Sequence, residues 1–251
     1  MTMPLCISLS PRLLRLLPAG LALAIASGAW LGAGLWAQVP EEELVEFSFQ
    51  TYFYTGSEAD TASVPRGENA LYYQQGAEFK PLTLAPNNLG LKHTFRGSLP
   101  FRLYVQQTNE DGQTVYRPVA EAVGKNAGEG SHRVLFIQPA GEQFRIALMR
   151  ADAARVAQGE VLIMNVGGQA LAATSGEGTL VQIGPGESKV MRYDEGEDSS
   201  FSLKIASRKG EGWDIIHTSR LAYRNPRPLF LIVYPTQDGK FWHVRFLKLR
   251  Q

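Results

Sequence analysis

The sequence predicts an all-β protein built from two tandem antiparallel β-sandwich domains, and three features carry this prediction. Apolar and polar residues alternate with a period of two in several short stretches. Other stretches are continuously apolar over only four to six residues. Finally, similar stretches recur in the same order in the second half of the chain.

The alternating and the continuous stretches predict two kinds of strand. The alternating stretches are residues 45–49, 101–105 and 201–205. Side chains on a strand point to opposite faces in turn, so alternation is typical of a half-buried strand. The continuously apolar stretches are residues 134–137, 161–164 and 229–234. Their length and their β-branched and aromatic content predict strands that are covered on both faces.

The repeated order suggests an internal duplication. In the first half the repeated stretches are residues 82–86, 101–105, 135–139 and 144–148. Their counterparts, 96 to 100 residues later, are residues 181–185, 201–205, 231–235 and 242–246. This spacing matches the size of an immunoglobulin-like sandwich, about 100 residues. The alternatives are a chance similarity between two sandwiches and one larger sandwich or barrel.

These stretches give a division of the chain into four parts. Residues 1–37 are an export segment, residues 43–150 a first sandwich and residues 160–251 a second. Residues 151–159 form a linker between them. We expect a short helix in this linker, because Asp152 can cap its first turn and Gly159 can end it.

The N-terminal segment predicts export. Arg12 and Arg15 precede an uncharged stretch, residues 16–37, and acidic residues follow at 41–43. A basic start, an apolar stretch and small residues at a cleavage site are the features of a secretory signal peptide. We expect cleavage after Ala37, with an uncleaved membrane anchor as the alternative. Either outcome places the rest of the chain in the periplasm or outside the cell, or anchors it to the inner membrane facing outward.

Charge and cysteine content limit the remaining function classes. Removal of Arg12 and Arg15 leaves 23 basic against 24 acidic residues, a net charge of −1. A balanced chain offers little to a phosphate backbone, so we expect no nucleic-acid partner. Cys6 is the single cysteine and lies within the export segment, so we expect no disulfide in the exported chain. Membrane contact is expected only through residues 16–37, if they are retained.

We find no catalytic, cofactor or metal signature in the sequence. The four histidines, at positions 93, 132, 217 and 243, have none of the short spacings of metal ligands. Ser131 and His132 are adjacent, and neighbouring residues of a strand point to opposite faces, so they are not expected to form a nucleophile and base pair. We therefore expect a protein that is not an enzyme and that has no cofactor.

Aromatic residues give a candidate binding surface that can be named residue by residue. If Phe47, Phe49 and Phe53 face the core, Tyr52 and Tyr54 face the other way, and Tyr104 lies in an alternating strand of the same half. Exposed tyrosines are common where proteins bind other proteins or sugars. Tyr52, Tyr54 and Tyr104 are therefore the candidate partner-binding residues.

The function expected from these features is binding without catalysis. The chain would bind or position another envelope component through sandwich edges, loops or an aromatic face, and the partner would be an envelope protein or a polysaccharide. The alternatives are a polysaccharide-binding module and a hydrolase of cell-wall or extracellular polymer, whose two carboxylates could converge from distant positions.

Overall fold

A computed structural model describes residues 44–56, 64–122, 131–141, 143–176, 180–193, 200–222, 228–236 and 238–248. Within these ranges the regular structure is sixteen β-strands and two 3₁₀ turns of three residues each. The predicted export segment, residues 1–37, lies outside the described residues. The described part of the chain contains no helix with the length and apolar character needed to cross a membrane.

The first half of the chain forms two four-stranded sheets. Its strands are β1 (Val45–Phe53), β2 (Leu71–Gln75), β3 (Glu78–Pro81), β4 (Leu89–Gly97), β5 (Phe101–Thr108), β6 (Thr114–Ala122), β7 (Ser131–Ala140) and β8 (Gln143–Arg150). Sheet A has the strand order β4-β1-β7-β8, and sheet B has the order β3-β2-β5-β6. The two sheets pack face to face as a sandwich.

The second half repeats this arrangement. Its strands are β9 (Glu160–Asn165), β10 (Leu171–Ser175), β11 (Val181–Ile183), β12 (Ser188–Arg192), β13 (Ser200–Lys209), β14 (Gly212–Ala222), β15 (Leu229–Pro235) and β16 (Trp242–Leu247). Sheet C has the order β12-β9-β15-β16 and sheet D the order β11-β10-β13-β14. Each strand of the second half thus occupies the place of the strand eight positions earlier. The predicted all-β fold of tandem sandwiches is confirmed.

Finer details repeat as well. The pairing is antiparallel except between β1 and β7 and between β9 and β15, which are parallel at equivalent places. The register of β5 on β6 shifts between Leu103 and Tyr104, and that of β13 on β14 shifts between Ile205 and Ala206. Asn87 and Gly186 both have positive φ and each follows a proline. The two halves therefore share bulge and turn positions in addition to strand order, as an internal duplication would produce.

The four sheets form a stack with three hydrophobic cores. One core lies between sheets A and B and another between sheets C and D. The third lies between sheets A and C, so the two sandwiches pack against each other through it. We call this third core the central core. Its members from sheet A include Tyr52, Val134 and Phe136, and those from sheet C include Ile232 and Tyr234.

The continuously apolar strands lie in the two middle sheets, as their composition predicts. In β7, Leu135 and Ile137 face the core of the first sandwich, whereas Val134 and Phe136 face the central core. Strands β9 and β15 alternate in the same way between the central core and that of the second sandwich. A strand between two cores is covered on both faces, which favours apolar residues at successive positions and explains the loss of alternation.

The expected linker helix is reduced to a 3₁₀ turn over Ala153–Arg155. The Asp152 side chain does not cap this turn. Its carboxylate instead accepts hydrogen bonds from the backbone N–H of His132 and from Nε of Arg150, both at 2.6 Å. Ala151 and Val156 are buried in the central core. The linker thus adopts the conformation that its contacts with both sandwiches require, which overrides its weak helical preference.

Candidate binding surface

Tyr52 and Tyr54, two of the three residues predicted to bind a partner, are core residues. They face away from Phe49 and Phe53 as expected, but sheet C covers that face. Their side chains are 1% and 3% exposed. The Tyr52 and Tyr234 hydroxyls lie 3.2 Å apart, and the Tyr54 hydroxyl lies 3.1 Å from Nε2 of His243. They therefore join the two sandwiches and offer no exposed surface to a partner.

Burial also changes the chemistry of these tyrosines. It raises the pKa of Tyr52 far above its ordinary value, and the contact with the Tyr234 hydroxyl raises it further. The pKa of Tyr54 is raised by burial as well. Both phenols are therefore neutral at any physiological pH, and each has a polar partner inside the core.

Tyr104, the third predicted residue, lies on the outer face of sheet B. Along β5, Phe101 and Leu103 point into the core of the first sandwich, so Arg102 and Tyr104 point outward. Tyr104 is half-buried, because neighbouring side chains on the same face cover part of its ring.

Four half-buried aromatic rings form a continuous cluster on this outer face, which we call the aromatic face: Tyr72, Phe79, Tyr104 and Tyr116. The rings of Phe79 and Tyr116 are stacked, with centroids 4.0 Å apart and planes 7° from parallel. Tyr104 meets Phe79 edge to face at 4.9 Å, and Tyr72 meets Tyr116 edge to face at 5.2 Å. Each ring therefore packs against at least one other ring of the cluster, in the stacked or edge-to-face geometry that aromatic pairs prefer.

Two glutamine amides contact the tyrosine hydroxyls of the aromatic face. The Tyr72 hydroxyl donates a hydrogen bond of 3.2 Å to Oε1 of Gln106. The Tyr104 hydroxyl donates a longer one, 3.5 Å, to Oε1 of Gln74. Each glutamine amide has further donors and acceptors, so the aromatic face combines apolar rings with neutral hydrogen-bonding groups.

Two charged residues beside the aromatic face form an ion pair. Nε of Arg102 donates to Oε2 of Glu121 at 2.8 Å, from neighbouring strands of the same sheet. Arg has five N–H donors in all, so further donors of Arg102 remain for other groups. The pair itself carries no net charge.

An open groove of about 820 Å³ adjoins the aromatic face. One wall is the end of β2 with the start of the turn after it, residues 74–76. Another is the end of β4 with the segment that leads to β5, residues 95–100, which includes Arg96. Tyr104 belongs to the aromatic face and also lines the groove. Gln74 lines the groove and accepts a hydrogen bond from the Tyr104 hydroxyl. The two features therefore form one continuous surface.

The equivalent face of the second sandwich has a different composition. In the first sandwich Tyr72 lies opposite Tyr104, and in the second sandwich Ala172 lies opposite Ala206. Tyr104 and Ala206 each follow the bulge of their strand, so these positions correspond. Tyr116 corresponds to Trp213, over whose ring the Arg208 guanidinium lies at 5.3 Å. The fold is thus formed without an aromatic cluster at these positions.

Sequence patterns identify only part of the aromatic face. Tyr72 and Tyr104 occupy alternating positions of their strands, and the period of two places them opposite core residues. The neighbours of Tyr116 in β6, Val115 and Arg117, are both exposed, so alternation does not place its ring. Nothing near Phe79 indicates that its ring would stack on Tyr116, which lies 37 positions later in the chain. Tyr73, next to Tyr72, faces the core instead.

His132 makes a serine contact that sequence reasoning missed. Its Nδ1 lies 2.9 Å from Oγ of Ser48 and its Nε2 lies 3.2 Å from Oε1 of Gln50. The amide of Gln50 donates to the carbonyl of Gly90, which leaves Oε1 as the acceptor for an Nε2–H. Burial and the charge of Lys92 lower the pKa of His132. Both ring nitrogens of the neutral imidazole therefore have partners, as in a structural histidine.

The other histidines also have structural contacts. His243 contacts Tyr54 in the central core, and Nε2 of His217 lies 2.9 Å from Oγ of Ser219. Burial lowers the pKa of both imidazoles. Among the described residues, no three His, Cys, Asp or Glu side chains are grouped closely enough to hold a metal ion.

Comparison with known proteins does not assign the chain to a family. No family model matches the chain, and no curated protein matches it either.

Proposed function

We propose that this protein is a non-catalytic, exported binding protein that holds a polysaccharide of the cell envelope on the aromatic face of its first sandwich. One observation carries the proposal: four ordered aromatic rings lie on an outer sheet face whose counterpart in the second sandwich has alanines at two of the corresponding positions. Because the fold does not require these rings, their presence favours a role in binding.

The chemistry of the aromatic face suits a sugar. Aromatic rings pack against the apolar C–H face of a sugar ring, and Gln74 and Gln106 offer amide groups to its hydroxyls. The nearby Arg102–Glu121 pair adds no net charge to the aromatic face, whose rings and amides therefore suit a hydroxyl-rich polymer.

A protein partner fits the aromatic face less well. A stable protein interface covers roughly 800 Å² on each partner and centres on deeply buried anchors. Four rings that already pack on one another offer a smaller contact, of the kind that a polymer with many repeated units can use.

Export completes the proposal. The basic start and the apolar stretch of residues 12–37 predict passage across the membrane, and an envelope polysaccharide is met only on the far side. Retention of the segment would anchor the sandwiches beside the polymer, and cleavage would release them into the same compartment.

The test is co-sedimentation of the protein with insoluble polysaccharide prepared from envelopes of its own cells. We expect the wild type to sediment and the double variant Tyr104→Ala with Tyr116→Ala to bind about tenfold more weakly, because each ring contact contributes about 0.5–1.5 kcal/mol. Trp213→Ala is the matched control, since Trp213 occupies the place of Tyr116 in the second sandwich. We expect it to bind like the wild type.

Two results would contradict the proposal. One is equal binding by the wild type and the double variant, with melting temperatures that show both to be folded. The other is retention of an envelope protein, and not of polysaccharide, by the wild type and not by the double variant.

A further inference from the structure

We infer that the polysaccharide extends from the aromatic face into the adjoining groove, so that the site takes a chain of several sugar units and not a single sugar. This inference rests on the proposed function. The groove lies beyond the aromatic rings, and its lining includes Gln75, Ser98, Pro100 and Arg102.

The aromatic face and the groove are continuous. Tyr104 stands at the boundary: its ring contacts Phe79 of the aromatic face, and it also lines the groove. Gln74 accepts a hydrogen bond from the Tyr104 hydroxyl and lines the groove as well. A polymer that packs against Tyr104 is therefore already at the entrance of the groove.

The groove is large enough to hold part of a sugar chain. At about 820 Å³ the groove falls within the range of ligand sites in proteins, roughly 300–1,000 Å³. Together with the aromatic face, it gives a site longer than one sugar ring.

Both polar and apolar side chains line the groove. Gln75 and Ser98 offer neutral donors and acceptors, Arg102 pairs with Glu121, and Arg96 adds a cation that can donate hydrogen bonds to hydroxyl oxygens. Leu99 and Pro100 add apolar contact in the same wall. A mixture of polar groups and small apolar surfaces fits alternating hydroxyls and C–H groups along a sugar chain.

The probes are oligosaccharides released by partial acid hydrolysis of the envelope polysaccharide that the full-length protein retains, separated by size. We expect affinity for the wild type, measured by calorimetry, to rise with chain length and then level off when the aromatic face and the groove are both occupied. A single sugar should bind at least about tenfold more weakly than the longest fragments.

Two groove variants sharpen the test. Ser98→Trp fills the groove, so its affinity for long fragments should fall to that for short ones. Gln75→Ala should lower the affinity for long fragments about threefold to tenfold, which is the effect of one lost hydrogen bond. It should leave the affinity for short fragments unchanged. Tyr116→Ala, on the aromatic face, should lower the affinity for fragments of every length.

The outcomes separate the inference from the proposed function. Affinity that does not depend on length, or equal loss at all lengths in Ser98→Trp, would overturn the inference and leave the aromatic face as a site for one or two sugars. Failure of the wild type to retain any polysaccharide would overturn both.

Discussion

Replacement of Phe136 by alanine is expected to lower the free energy of unfolding by about 3–5 kcal/mol, the usual cost of deleting a buried aromatic ring. Phe136 is 2% exposed and lies in the central core. Its ring lies 5.9 Å from that of Tyr52 in its own sandwich and 5.0 Å from that of Tyr234 in the other. The cavity would therefore weaken the contact between the sandwiches.

The expected loss should reach the second sandwich although Phe136 belongs to the first. In a chain that begins at Gln38, Trp213 and Trp242 are the tryptophans, and both lie in the second sandwich. Tryptophan fluorescence during urea unfolding therefore reports on that sandwich alone. We expect Phe136→Ala to shift this transition to lower urea, together with the transition seen by far-UV circular dichroism.

The matched control is Val115→Ala, a substitution on the exposed side of the first sandwich, where Val115 is 39% exposed. Its effect should stay within about 0.5 kcal/mol. An unchanged tryptophan transition in Phe136→Ala, with loss of structure confined to the first sandwich, would show that the two sandwiches unfold independently.

Replacement of Asn165 by alanine should cost about 3 kcal/mol or more, because it leaves several backbone groups without partners. Asn165 is fully buried at the end of β9. Its Nδ2 donates to the carbonyls of Gln169, Gly184 and Ile183 at 2.8, 3.0 and 3.2 Å, and its Oδ1 accepts from the N–H of Gly167 at 3.0 Å. Two N–H bonds are thus shared among three carbonyls.

The same contacts explain why the effect should be large. They join the segment after β9 to the end of β11. Urea unfolding measures the loss, and Gln169→Ala is the control, because only the backbone of this exposed residue takes part. A loss below about 1 kcal/mol for Asn165→Ala would mean that water or a shifted backbone replaces the amide.

Much of the fold can be predicted because its signals are local. The alternation at residues 101–105 follows from side-chain geometry in a strand, and the continuous apolar stretch at residues 134–137 follows from burial on both faces. The repeated order of such stretches predicts two similar sandwiches, and the shared strand order confirms the tandem arrangement.

The binding surface is harder to predict because it depends on contacts between distant residues. Alternation places Tyr52 and Tyr54 opposite the core of the first sandwich, but it does not show that a second sandwich covers that face. Asp152 is a good helix cap by its own preference, yet its carboxylate binds His132 and Arg150 instead. Stacking of Phe79 on Tyr116 likewise arises only once β3 and β6 lie in one sheet.

The most direct test of the proposed binding surface is backbone hydrogen exchange with and without the envelope polysaccharide that the protein retains. Bound polymer should slow exchange in β3, β5 and β6 and in the segments that line the groove, residues 74–76 and 95–100. Strands β10, β13 and β14 of the second sandwich should exchange at unchanged rates. Protection confined to the second sandwich, or equal protection of both, would contradict binding at the aromatic face.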